Sequence, residues 1–217
     1  MSTRKPPTRG IRGKNVGKFF SIKMNVMLWF ESLLEESLMY LLDFDPDVKR
    51  FKEQPFPIWY ICDGRKRRYT PDLFVERATE RQIIEVKPKR KVETEKYNLL
   101  FRIISPICEK EGFRFKVFTE ESILWQPRLN SIKALWSYAR TPLCAQHQIY
   151  CQELLQKRSV VSLAEAFEFF KAKGVPKQVV YALLFWGALD FNLAEPLNPN
   201  SRIYLPSSTE IHARRIA

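Results

Sequence analysis

The sequence predicts an α/β domain, a mixed sheet flanked by helices, followed by a smaller and mainly helical domain. Three observations carry that expectation. Apolar patterning over residues 25–125 runs helix, three strands, helix, strand. Past Trp125 the pattern turns helical and stays so until a short terminal hairpin. At 217 residues and 45% hydrophobic, the chain can bury one large core or two small ones.

Met1–Lys18 carries Arg4, Lys5, Arg9, Arg12, Lys14 and Lys18 with no acid, and Pro6, Pro7 and Gly10 break regular structure. Residues 1–24 are therefore expected to be a basic flexible arm, able to lie along DNA phosphates or simply to solubilise the chain. Leu33–Asp43 reads as a helix with Leu34, Leu38, Leu41 and Leu42 on one side. Ser32 and Glu35 have capping-box spacing, with Glu35 reaching back to the cap N–H. Val48–Cys62 is apolar but interrupted by Pro55 and Pro57, which suits an edge strand or a bulge. Asp63-Gly64 is a hairpin turn. Arg65, Lys66, Arg67 and Arg68 follow it on a strand leading to Asp72. Phosphate contact explains that cluster better than a nuclear-localisation signal, because it sits inside a hairpin beside acids.

The most informative stretch is Tyr69–Lys89. Apolar runs at Leu73–Val75 and Ile83–Val86 flank a polar turn at Arg77–Arg81, the pattern of a β-hairpin. Pairing symmetric about Ala78–Thr79 would put Asp72 directly opposite Glu85, with Cβ atoms about 5 Å apart. Lys87 shares the face of Glu85. Opposed carboxylates repel, and a cation between them removes that cost. Carboxylate oxygens with waters are what Mg²⁺ prefers, and the Val86 carbonyl offers one more oxygen. Lys87 would then orient or deprotonate an attacking water, or balance charge on a pentavalent phosphate. The competing reading is a solvated hairpin with Glu and Lys on its outer face. Lys89, Arg90 and Lys91 emerge at the same end of the hairpin.

Glu93–Glu111 is the next expected helix, kinked at Pro106 and capped by Gly112. Phe113–Phe118 alternates apolar and basic residues, as a strand does. Gln126–Asn130 reads as a linker. Ser131–Arg140, Pro142–Gln156, Ser162–Lys173 and Lys177–Leu189 read as helices, with a second capping box at Ser162 and Glu165. Leu189–Leu193 and Arg202–Leu205 form a terminal hairpin. Three helices and a hairpin predict a winged-helix-like domain over residues 126–206, with residues 207–217 as a tail. Its candidate groove helix is mostly apolar, which favours burial or protein contact over base reading.

A net charge of +12 and a pI near 9.6 point to a polyanionic partner, nucleic acid being the simplest. No apolar run approaches the ~20 residues that span a bilayer, and Met1–Phe20 has no secretory signal. Cys62, Cys108, Cys144 and Cys151 lack metal spacing and read as free thiols in a reducing cytoplasm. With only His147 and His212 present, zinc or histidine-based nuclease chemistry is disfavoured.

Pro71-Asp72 followed by Glu85-Val86-Lys87 resembles the PD-(D/E)XK nuclease pattern. Glu31–Val48, Glu53-Gln54-Pro55, Arg68–Asp72, Ile84–Pro88 and Gly112–Glu120 together resemble, in order and spacing, the TnsA-type transposon endonucleases. The likeness covers about residues 25–125. It implies a restriction-endonuclease-like fold and a bacterial, cytoplasmic enzyme that cuts the 5′ strands at transposon ends. It further implies Mg²⁺, with Mn²⁺ able to substitute, and as partners double-stranded DNA, a DDE-family transposase and an AAA-type ATPase regulator. Asp72, Glu85 and Lys87 match the nuclease motif, and Glu35 aligns with a helical glutamate that supplies the third acid. Glu31 and Glu36 compete for that role. Members of the family carry Glu or Gln at the position of Glu85. Two alternatives remain: a free-standing restriction or junction-resolving nuclease, and a catalytically silent DNA-binding adaptor.

Overall fold

A computed structural model describes residues 15–206. Two compact units emerge. One runs through Leu42 and resumes from Val48 to Leu124; the other comprises Asp43–Asp47 and the chain from Trp125 onward.

The first unit opens with an antiparallel hairpin, Gly17–Ser21 (β1) and Val26–Phe30 (β2). This corrects the expected arm, which ran to residue 24. Phe19, Leu28 and Phe30 are buried, so three large apolar side chains outweigh the basic character of the preceding residues. Gly17 is required by close approach, since a Cβ there would sit 2.2 Å from the Phe30 ring. The part of the expected arm at residues 1–14, like the expected tail at 207–217, lies outside the described residues. Helix α1 (Leu33–Phe44) follows, with Leu38, Met39, Leu41 and Leu42 fully buried.

Strands Val48–Glu53 (β3), Ile58–Cys62 (β4), Arg65–Tyr69 (β5), Leu73–Arg77 (β6) and Arg81–Val86 (β7) come next. Pro55 and Pro57 separate β3 from β4 and leave β3 as a sheet edge with a register shift between Val48 and Arg50. Asp63 and Gly64 both have positive φ, 52° and 69°, the two-residue turn that joins β4 to β5 with matching twist. A single turn, Lys89–Val92 (α2), precedes Glu95–Lys110 (α3), the helix expected over Glu93–Glu111. Gly112, at φ 77°, ends α3 in a Schellman arrangement: its N–H donates to the Glu109 carbonyl and that of Phe113 to the Cys108 carbonyl. Strand Arg114–Phe118 (β8) and the turn Glu120–Ile123 (α4) complete the unit.

The central sheet has the order β3-β6-β7-β8, with β7 and β8 parallel and the other pairs antiparallel. Helix, strands, helix, then a parallel strand is a mixed α/β arrangement compatible with a restriction-endonuclease-like fold. Hairpin β4–β5 forms its own two-stranded sheet. Its inner residues Ile58 and Tyr69 join Ile83 with Ile104 and Cys108 of α3 in one buried cluster, packed over by Phe74, Phe113 and Phe115.

The second unit holds Arg128–Trp136 (α5), Ala145–Leu155 (α6), Val160–Ser162 (β9), Leu163–Ala172 (α7), Lys177–Phe185 (α8), Asp190–Phe191 (β10) and Arg202–Tyr204 (β11). The strand β9, absent from the sequence reading, pairs with β11 in a three-stranded antiparallel sheet of order β10-β11-β9. Ser162 and Glu165 cap α7 reciprocally, as their spacing predicts. Helix α8 stops at Phe185, four residues short of expectation, because Gly187 turns left-handed at φ 75° and the Ala188 N–H closes on the Leu183 carbonyl. Val179, Val180 and Ala182–Phe185 of α8 are all buried. The four cysteines are free thiols. No helix among the described residues is long and apolar enough to cross a membrane.

Candidate active site

The register of β6 against β7 decides which side chains meet. Leu73 faces Ile84, Phe74 faces Ile83 and Val75 faces Gln82. One further step sets Asp72 opposite Glu85, the symmetry expected from the sequence. Lys87 Nζ lies 2.9 Å from Asp72 Oδ2 and 2.8 Å from Glu85 Oε1, and donates to the Val86 carbonyl at 3.1 Å. Those three acceptors use all three ammonium protons. Asp72 Oδ2 also accepts the Val86 N–H at 2.7 Å. The ammonium thus sits between the opposed carboxylates and offsets their repulsion.

Tyr69, which the sequence reading passed over, completes the group. It ends β5 three residues before Asp72, and its hydroxyl donates to Glu85 Oε2 at 2.5 Å. A buried tyrosine needs a partner for its hydroxyl, and the one aromatic residue after four cations on β5 was the available signal. Burial, then the Glu85 charge, push its phenol far above the usual range, so it remains a donor. Glu85 therefore keeps Oε1 toward Lys87 while Oε2 is held.

Glu85 is 3% exposed. Burial and then the Asp72 charge push its carboxyl up to about 7, against the opposing pull of Lys87 and Tyr69. Burial alone would lower Lys87, but the Asp72 and Glu85 carboxylates reverse this and hold it protonated above the ordinary lysine range.

Glu35 performs the helix-start role in shifted form. Its Oε1 accepts from the Ser32 hydroxyl at 2.9 Å, and its Oε2 accepts the N–H of Glu31, at 2.8 Å, rather than that of the cap residue. Ser32 Oγ accepts the Glu35 N–H in return at 3.2 Å. Burial and then the Asp72 charge raise the Glu35 carboxyl, so the two acids are electrostatic neighbours. Glu36 meets the helix start through its backbone, its N–H donating to the Ser32 carbonyl at 3.1 Å. Glu31 Oε1 accepts from the Gln54 amide at 2.9 Å, and the Gln54 N–H donates to the Asp72 carbonyl at 2.8 Å. Gln54 thereby ties the start of α1 to the backbone of Asp72, a second link the sequence reading did not find.

Arg65, Lys66, Arg67 and Arg68 are all exposed on β5. Of the second basic group, Lys89 is paired with Glu121 at 2.7 Å, and its N–H donates to Glu120. Arg90 and Lys91 are exposed beside it.

The donors around Lys87 are all oxygens: two carboxylates and the Val86 carbonyl. That set fits Mg²⁺, which binds through one or two carboxylates and keeps several waters. Among the described residues no three acidic, histidine or cysteine side chains gather into a ready-made cage, Glu35 being turned toward the start of its own helix.

Residues 45–120, which span β3 to the start of α4 and contain Asp72, Glu85 and Lys87, match the family described as TnsA-like endonuclease N terminal. No curated protein sequence matches the chain.

Proposed function

We propose that the chain, whose residues 45–120 match the TnsA-like endonuclease N-terminal family, is a metal-dependent DNA endonuclease cutting the 5′ strands at transposon ends. The observation that carries this reading is the convergence of Asp72, Glu85 and Lys87 within 3 Å contacts at the end of one hairpin. Asp72, Glu85 and the Val86 carbonyl would hold Mg²⁺ or Mn²⁺, with Glu35 as a third carboxylate once released from its helix start. Such an ion supplies a water of lowered pKa and stabilises charge developing on phosphate. Tyr69 holds Glu85 in one orientation, and the Val86 N–H does the same for Asp72. Lys87, kept protonated by its two acids, donates to the attacking water or to a phosphate oxygen once the metal takes over one of its three acceptors, and does not act as the base.

The protein would work in the bacterial cytoplasm with a DDE-family transposase and an AAA-type ATPase regulator. In the second unit, the order helix α6, strand β9, helices α7 and α8, then β10 and β11 supports a winged-helix reading. Six of the nine residues of α8 are buried, which favours that unit as a protein-docking module.

The test uses duplexes bearing the element's own ends, labelled on each strand, with the purified chain and its transposase. Cuts in the 5′ strands in Mg²⁺ or Mn²⁺, lost in EDTA, are expected. Cleavage should rise between pH 6 and pH 8, because proton and cation compete for a carboxyl titrating near 7 and rising pH favours the cation. Cleavage undiminished in EDTA, or confined to the 3′ strands, would refute the proposal. Efficient cutting of plain duplex by the chain alone would favour the free-standing nuclease.

Glu35→Gln separates the two roles of that residue. Gln retains an acceptor for the Glu31 N–H, so the variant should melt close to wild type, well inside the roughly 1 kcal/mol that loss of a cap costs. Cleavage should fall at least tenfold. Wild-type cleavage would leave Glu35 a helix-start residue only and make Glu31 the next candidate.

A further inference from the structure

Hairpin β4–β5 presents two chemically different faces. Ile58 and Tyr69 are paired across it and turn inward, where Tyr69 reaches Glu85. The alternate residues turn outward: Trp59 is 54% exposed and Ile61 72%. Their cross-strand partners are Arg68 and Lys66. The outward face is thus a block of Trp59, Ile61, Lys66 and Arg68, with the Lys66 ammonium 4.9 Å from the centre of the Trp59 ring. Arg65 and Arg67 lie on the other face, opposite Cys62 and Tyr60, and Arg67 is drawn toward Asp63 of the turn at 3.6 Å.

Two large apolar side chains held open to solvent mark an interaction surface. Cations flanking them select an anionic partner, and no acid is paired with Lys66 or Arg68 among the described residues. A two-stranded ribbon has the width that the DNA major groove admits. We propose that this outer face docks duplex DNA, on the side of the hairpin opposite Tyr69. Lys66 and Arg68 would neutralise phosphates while Trp59 and Ile61 press against sugar and base edges. The inference rests on the nuclease reading in naming DNA as the partner. It adds that the basic cluster is not uniform: the cations that share a face with Trp59 carry the binding.

Equilibrium binding of the full chain to uncut duplex, in EDTA and across a salt series, tests this without any cleavage. Lys66→Gln with Arg68→Gln should flatten the dependence of log affinity on log salt by about 1.8, close to 0.9 per lost phosphate contact. Arg65→Gln with Arg67→Gln should change it by less than half as much. Trp59→Ala, at an exposed site, should bind at least fivefold more weakly with an unchanged salt slope and an unchanged melting temperature. Equal effects of the two basic pairs would overturn the proposal. So would wild-type binding by Trp59→Ala and by the Lys66/Arg68 variant, which would assign the face to a protein partner. If these variants bind like wild type yet cut normally with the transposase, the ribbon proposal fails and the nuclease stands. If the ribbon pattern holds but wild type never cuts, the nuclease reading fails alone.

Discussion

Asp72→Asn should abolish strand cleavage, by at least a thousandfold, while leaving the fold and DNA affinity nearly intact. The aspartate has two separable jobs. Its Oδ2 accepts the Val86 N–H and a proton of Lys87, and an asparagine oxygen can take over the first of these. What Asn cannot supply is charge, and charge is what ligates a hard cation and balances Lys87. Asp72→Ala is the harsher variant, because it also leaves the Val86 N–H without its acceptor. Melting curves and uncut-DNA binding of both variants, set beside their cleavage rates, check the separation. Residual cutting by Asp72→Asn above a few per cent of wild type would remove Asp72 from the ligand set.

Lys87→Ala should be the most destabilising single change at the site. It leaves the buried Glu85 facing Asp72 with no cation between them, and breaking a buried ion pair from one side costs on the order of 3–5 kcal/mol. Glu85 can escape part of that cost by taking up a proton, since its carboxyl already titrates near neutrality. The loss should therefore be smaller at pH 6 than at pH 8. Mg²⁺ should raise the melting temperature of Lys87→Ala more than that of wild type, because an added cation then occupies the place the ammonium holds. Cleavage should stay absent even where Mg²⁺ restores stability. A variant that melts like wild type without Mg²⁺ would show that the ammonium is not what reconciles the two acids.

The parts legible in the sequence were those set by local chemistry. Asp63-Gly64 could only be a tight turn, the symmetric spacing about Ala78–Thr79 fixed the register, and Gly112 marked the end of α3. What escaped was set by contacts distant along the chain. Phe19 earns its burial from packing rather than from any pattern in the basic residues before it. Strand β9 is three residues long and exists because β11 pairs with it. Tyr69 and Gln54 showed their roles only when their partners, Glu85 and Glu31, had been placed. The Ser32–Glu35 spacing foretold a bonded helix start, but not that the recipient would be the Glu31 N–H.

The parallel pairing of β7 with β8 sets an order of assembly. Asp72 and Glu85 meet across a hairpin closed by residues 78–80, a local event that completes on the microsecond scale. The Lys87 N–H, by contrast, donates to the Phe118 carbonyl at 3.1 Å, across a crossover that must first wind α2 and α3. Closing so long a loop costs entropy before its contacts return any. The pairing of the two acids is thus local in sequence, whereas the backbone of the lysine between them is fixed by a strand that follows two helices. A chain released before Phe118 would carry the hairpin without the strand that anchors Lys87, so the candidate site is complete only when the domain is whole.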